Sequence, residues 1–122
     1  MGVDEKLQIF LQRKSAERIL TMRKIINGKM YDTETAKEIG QASNNLSSSD
    51  FRHYEEKLFR KKTGEFFLYG HGGPLTEYRK ACGDMWSGGS KIIPISLDEA
   101  KIWVENNLWA ELYIELFGEV DE

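Results

Sequence analysis

Tyr54 to Pro74 reads YEEKLFRKKTGEFFLYGHGGP, and the reading of this stretch decides the fold. It predicts two strands joined by a tight turn and closed off by a glycine-rich loop. Glu55 to Arg60 is a charged strand, and its two glutamates call for one wet face. Lys61-Lys62-Thr63-Gly64 is the turn, where Gly64 can take the left-handed conformation of a type I turn plus bulge. Glu65 to Tyr69, EFFLY, returns as an aromatic-rich inner strand. Charge gathers at the turn and apolar residues lie further back, the pattern of a hairpin protruding from a sheet. Gly70-His71-Gly72-Gly73-Pro74 ends the strand as a permissive turn.

On the N-terminal side, Lys24 to Tyr31 is KIINGKMY. Asn27-Gly28 tolerates the positive φ of a two-residue type I′ turn, so Ile25 and Ile26 should pair with Lys29 and Met30. Asp32 or Thr33 should then cap a short helix, TETAKEIGQ, with Thr35 and Glu38 spaced as a capping box and Gly40 as its terminator. Ala42 to Asp50 is a polar loop. Residues 4–22 are good helix formers without Gly or Pro. Leu7, Phe10 and Leu11 share one side, while Ala16, Ile19 and Leu20 fall nearly opposite. The segment therefore breaks near Ser15 or buries two faces, and residues 1–22 read as a helical extension offering a homodimer or partner contact.

On the C-terminal side, Thr76 to Cys82 should be a two-turn helix stopped by Gly83. Asp84 to Lys91 should be a second glycine-rich loop holding Trp86. Ile92 to Ile95 is a short strand, and Pro94 places it at an edge because it lacks a ladder N–H. Ser96 and Glu99 make a capping box for a helix through Trp103 and Val104 that breaks at Asn106-Asn107. Trp109 to Phe117 should be a second helix ending at Gly118. Residues 23–122 thus read as a single α+β domain. Its small antiparallel sheet should have about five strands, near 23–26, 29–32, 52–60, 65–70 and 92–95, with helices on one face.

The chain has 122 residues, 40% of them apolar, with three Trp, five Tyr and six Phe. That is enough for one core. No apolar run approaches the roughly 18 residues of a membrane span, and the N-terminus shows no secretory pattern. Cys82 is the only cysteine, so a reducing, cytoplasmic setting is expected. The net charge of −3 is unevenly spread. Residues 96–122 carry eight acids and one base, or −7; residues 1–95 carry 16 bases and 12 acids, or +4. Asp98, Glu99, Glu105, Glu111 and Glu115 are therefore candidate partner-binding residues, against the plainer reading that they are the wet faces of helices. Arg60, Lys61 and Lys62 at the turn, Arg52 and Lys57 behind it, and Arg79 and Lys80 beyond are candidate nucleic-acid contacts, against ordinary solubilising charge. Tyr69 or Trp86 could stack a base.

Chemical motifs are sparse. Two histidines and one cysteine do not make a Cys/His zinc site, and no metal or cofactor is implied. No nucleophile triad has its signature. His53 beside Glu55 and Glu56 has the makings of an acid–base cluster for cleaving RNA, with His53 and Glu55 on one strand face and Glu56 on the other. A solvated strand is the plainer reading. GHGGP offers backbone N–H groups to a phosphate but is neither a Walker A nor a Rossmann motif.

Four phrases, KIINGKMYDTETAKEIG, LFRKKTGEFFLYGHGGP, WSGGSKIIPISLDEAKIWVE and ELFGEV, give the chain a further meaning. Across roughly residues 23–120 the sequence resembles a family of short proteins carried on mobile elements and phages of Gram-positive bacteria. Some proteins that look like this are anti-CRISPR proteins, which inhibit the RNA-guided type II CRISPR nuclease. The resemblance implies a binding protein without chemistry of its own, acting in the host cytoplasm on the effector or its guide RNA. Leu108-Trp109-Ala110 departs from it, being more apolar than the acidic stretch expected there. The alternatives are a small nucleic-acid-binding regulator and a ribonuclease-like enzyme acting on guide RNA.

Overall fold

The computed structural model describes residues 22–122. The expected N-terminal helical extension and its homodimer contact lie outside the described residues, apart from Met22.

The stretch Tyr54–Pro74 forms the centre of the molecule. β4 (Tyr54–Arg60) and β5 (Phe66–Gly72) pair antiparallel along their whole length, from Arg60 opposite Phe66 to Tyr54 opposite Gly72. The turn closes with Lys61 N–H on the Glu65 carbonyl at 2.8 Å and Gly64 N–H on the Lys61 carbonyl at 2.8 Å. Gly64 takes the expected positive φ of 94°. The hairpin does not protrude. β3 (Lys37–Ser43) flanks β4 and β8 (Gly89–Ile95) flanks β5, giving the antiparallel order β3-β4-β5-β8. Pro94 lies on that outer strand, as its missing N–H requires.

Two further hairpins stand apart from this sheet. β1 (Arg23–Ile26) pairs with β2 (Lys29–Asp32) in the expected register, Ile25 opposite Met30 and Ile26 opposite Lys29. Asn27 and Gly28 sit at φ 52° and 78°, the two positive values the turn needs. β6 (Lys80–Cys82) pairs with β7 (Met85–Ser87). The helices are α1 (Leu97–Asn107) and α2 (Ala110–Phe117). The Ser96 capping box is present in both directions, at 3.1 Å each way.

The described residues thus form an α+β fold with eight strands where about five were expected. Three expectations are corrected. TETAKEIGQ is not a helix: Thr33–Ala36 turns, and Lys37–Ser43 is β3. The segment has too few apolar residues for a helical stripe, and β4 offers it a full row of backbone partners. Gly40 is not a helix stop but a strand residue beside the bulge between Glu38 and Gly40. The Leu108 methyls fill the space where its Cβ would stand, at 2.8 Å. Thr76–Cys82 makes one turn, with Thr76 N–H on the Gly73 carbonyl and Arg79 N–H on the Thr76 carbonyl, and then enters β6. Asp84–Lys91 is likewise mostly strand, filling β7 and the start of β8.

The four-stranded sheet is covered on both faces, which explains why FFLY is continuously apolar instead of alternating. On one face Leu58, Phe66 and Leu68 pack against Ala100, Trp103 and Val104 of α1. On the other, Phe59, Phe67, Tyr69 and Ile92 meet Tyr31 of the β1–β2 hairpin. Phe59 stacks on Phe67 at 5.2 Å, and Tyr31 meets Phe67 edge-on at 5.4 Å.

One carboxylate locks the helical layer in place. Glu56 points to the helix side of β4. It accepts the Trp103 indole N–H at 3.1 Å and the Tyr78 O–H through its other oxygen. Tyr78 is 2% exposed and its ring crowds Gly70, where any Cβ would strike it. Burial first, and then the Glu56 carboxylate, push the Tyr78 phenol far above its usual range.

Two outcomes follow for stability. Gly70→Ala should destabilise the fold by about 2–3 kcal/mol in chemical denaturation, since the ring has no room to retreat. The raised phenol means that the folded state holds a proton the unfolded chain gives up near pH 10. Stability should therefore be intact below about pH 10 and fall as pH rises above it. Melting temperature between pH 8 and 12 measures this, and Tyr78→Phe should flatten the slope.

Candidate functional site

Two surfaces gather candidate side chains, one on each side of the sheet. The first is the outer face of the helices. Asp98 and Glu105 stand at i and i+7 on α1 with Ile102 between them, on the side opposite Ala100, Trp103 and Val104. Glu111 and Glu115 stand one turn apart on α2, whose Tyr113, Leu116 and Phe117 turn to the core. All five expected acids are exposed. Glu99 is occupied by the cap; the other four form no ion pair with a described base. Lys101 is the only base in the segment, and its ammonium lies 5.9 Å from the Phe117 ring. Between the helices and the chain end is a cleft of about 520 Å³ lined by Leu108, Trp109, Tyr113 and Val120, with Glu105 and Asp121 at its rim. Trp109 is 80% exposed and Ile102 56%. The apolar Leu108-Trp109-Ala110 run is therefore part of this acidic surface.

The basic residues do not form one patch. Arg60, Lys61 and Lys62 sit at one end of β4, and Arg52 precedes its other end, the strand itself spanning about 20 Å. Lys80 packs beside Gly89, which pairs with Gly72 opposite Tyr54, so Arg79 and Lys80 belong to the Arg52 end. Most of these charges are already engaged. Arg52 pairs with Asp50 at 3.3 Å and Lys57 with Glu38 at 3.2 Å. Lys61 is 15% exposed, 3.4 Å from Glu65 and 4.2 Å over the Tyr31 ring. Arg60 lies over Phe66 at 5.4 Å, and Arg79 over Trp86 at 4.0 Å. Trp86 is 51% exposed and offers a face for stacking, whereas Tyr69 is buried.

The second surface is the end of the opposite sheet face, beyond the β1–β2 hairpin. A hollow of about 340 Å³ is lined there by Gln41, Ser43 and Asn45 from the β3 side, Glu55 and Lys57 from β4, and Tyr69 and His71 from β5. Glu55 sits on this face and Glu56 on the other, as alternation requires. His71 Nε2 is 3.1 Å from Glu55 Oε2, and the His53 and His71 rings are 5.9 Å apart. These are the only two histidines in the chain. Sequence reasoning left His71 in a loop because of its glycine neighbours. The missing signal was register: once the turn sets Arg60 opposite Phe66, counting outward puts His71 opposite Glu55. Among the described residues, no group of three or more His, Cys, Asp or Glu side chains is placed to hold a metal ion.

No protein-family model, curated protein or solved structure matches this chain. No helix among the described residues is long and apolar enough to cross a membrane.

The turn lysines, equivalent by sequence, should separate by experiment. Lys61→Ala should cost about 1 kcal/mol, because it removes the contact joining the turn to Tyr31. Lys62→Ala should stay within about 0.5 kcal/mol. Beside them, Lys29 above all, then Thr63 and Lys61, hold the Glu65 carboxyl below its usual range. That stabilisation is present above the ordinary carboxylate range and lost as pH falls through the lowered one. Glu65→Gln should melt below the parent at pH 7 and converge with it in acid.

Proposed function

We propose that this protein is an inhibitor of an RNA-guided type II CRISPR nuclease, binding the effector through the outer face of α1 and α2. The observation that carries this reading is the acidic helical layer. Asp98, Glu105, Glu111 and Glu115 all face solvent without a described basic partner, and they surround exposed Ile102 and Trp109. A groove built to hold nucleic acid is lined with positive charge. Carboxylates on a rigid helical face meet such a groove as phosphates do, and the aromatic and aliphatic side chains add apolar anchors. Glu111 and Glu115 are spaced about 6 Å along the helix axis, so both can engage one basic wall. The family resemblance of residues 23–120 supports the same target.

The basic residues fit a nucleic-acid-binding role less well. They are divided between the two ends of the sheet, and several are neutralised by Asp50, Glu38 and Glu65.

Retention of purified effector, with and without guide RNA, on the immobilised protein tests the proposal. Binding should be strongest without nucleic acid, weaken as salt is raised, and be competed by nucleic acid. Combined Glu105→Gln, Glu111→Gln and Glu115→Gln should weaken it by about tenfold or more, with unchanged melting. Failure to retain the effector in either state overturns the proposal. So does retention of the effector at parent affinity by the acid-to-amide variant.

A further inference from the structure

The hollow on the sheet face opposite the helices has a different chemistry. Its lining includes the imidazole of His71 near the end of β5, and His53, 18 residues earlier and just before β4, lies beside that ring. The hairpin register brings them together beside Glu55.

Their hydrogen bonds settle which nitrogen does what. His53 Nδ1 is 3.0 Å from the Leu46 carbonyl oxygen. A carbonyl only accepts, so Nδ1 carries the proton and Nε2 of the neutral ring is left as a lone-pair base. His71 Nε2 is 3.1 Å from the Glu55 carboxylate, which also only accepts when ionised. His71 therefore donates from Nε2. His53 Nε2 and His71 Nδ1 lie outside these two hydrogen bonds. The two ring centroids are 5.9 Å apart and the rings are tilted 53° to one another.

The same hollow lacks an activated nucleophile. The Ser43 hydroxyl is held locally, donating to Asn45 Oδ1 at 3.2 Å and accepting the Asn45 N–H at 3.1 Å. The exposed Cys82 lies on β6, outside the hollow. A substrate must bring its own nucleophile next to its own leaving group. RNA does so, since each 2′-hydroxyl adjoins a phosphodiester. Gln41 and Asn45 supply amides suited to phosphate and base edges, with Lys57, paired to Glu38, beside them.

We propose that His53 and His71 form a general base–general acid pair that cleaves single-stranded RNA. His53 Nε2 takes the proton of a 2′-hydroxyl, and O2′ bonds to the adjacent phosphorus. The P–O5′ bond breaks, and the leaving O5′ takes a proton from His71 Nδ1. The products are a 2′,3′-cyclic phosphate end and a 5′-hydroxyl end, with proton transfers balanced between the two rings. Glu55 is a positioning residue that holds the His71 ring. The site lies on the opposite sheet face from the helical acids, so its success or failure is independent of effector binding.

The test is end-labelled single-stranded RNA incubated with the full chain between pH 5 and 8. Cleavage should yield 2′,3′-cyclic phosphate ends with a bell-shaped pH profile. His53→Gln and His71→Asn should each slow it by about 100-fold or more. Residual activity in His53→Gln should lose the acid limb of the profile, and in His71→Asn the alkaline limb. Glu55→Gln should reduce the rate less than either and change the profile's shape. The Glu105, Glu111 and Glu115 amide variant should cut as the parent does. RNA left intact by the parent overturns the proposal. So does cleavage of a fully 2′-deoxy strand, or parent-rate cleavage by the double histidine variant.

Discussion

The Glu56 carboxylate is the interaction on which the arrangement depends. It stands on a central strand, half withdrawn from water, where an unpaired charge would be costly. Two donors from distant parts of the chain meet that cost: the Trp103 indole from α1 and the Tyr78 phenol from the loop before β6. Tyr78 reaches it only because Gly70, on the neighbouring strand, has no side chain. One carboxylate thus ties the sheet, the first helix and the loop after β5 into a single packed unit. Its hydrogen bonds also orient α1, directing Ala100, Trp103 and Val104 inward and Asp98, Ile102 and Glu105 outward.

Covering the sheet from both sides leaves two kinds of surface. The helices bury their apolar stripe and present acids and exposed apolar residues to solvent. The β1–β2 hairpin is too short to cover the whole opposite face. It seats Tyr31 on Phe67 and is secured at the turn by Lys61 over Tyr31 and by Lys29 on Glu65. Past its reach, that face of β3, β4 and β5 becomes polar, and the hollow lined by His71, with His53 next to that ring, opens there. The exposed helical acids and the histidine pair thus lie on opposite faces of one sheet.

Charge follows the same division. The acids stay unpaired among described residues because their helices carry one lysine, whereas most of the strand and turn bases find a carboxylate or a ring nearby. A count along the chain shows net charge by segment. It does not show that Lys61 is spent on Tyr31 and Glu65 while its neighbour Lys62 is not.

Local signals were legible in the residues alone. Asn27-Gly28, the Lys61–Gly64 turn, Pro94 at an edge and the Ser96–Glu99 cap all hold, because each is decided by backbone conformation within a few residues. The two C-terminal helices were readable from caps and periodicity for the same reason. The segments misread as helices, Thr33–Gln41 and Thr76–Cys82, are polar and short, and their own preferences are weak. Long-range pairing decided them: β4 offered an open edge to one, and Glu56 drew Tyr78 of the other across Gly70. The sequence by itself determined the turns, the caps and the uneven distribution of charge. Only the tertiary structure decided which strands lie side by side, which bases are neutralised and that His53 meets His71, since those contacts join residues with no local reason to meet.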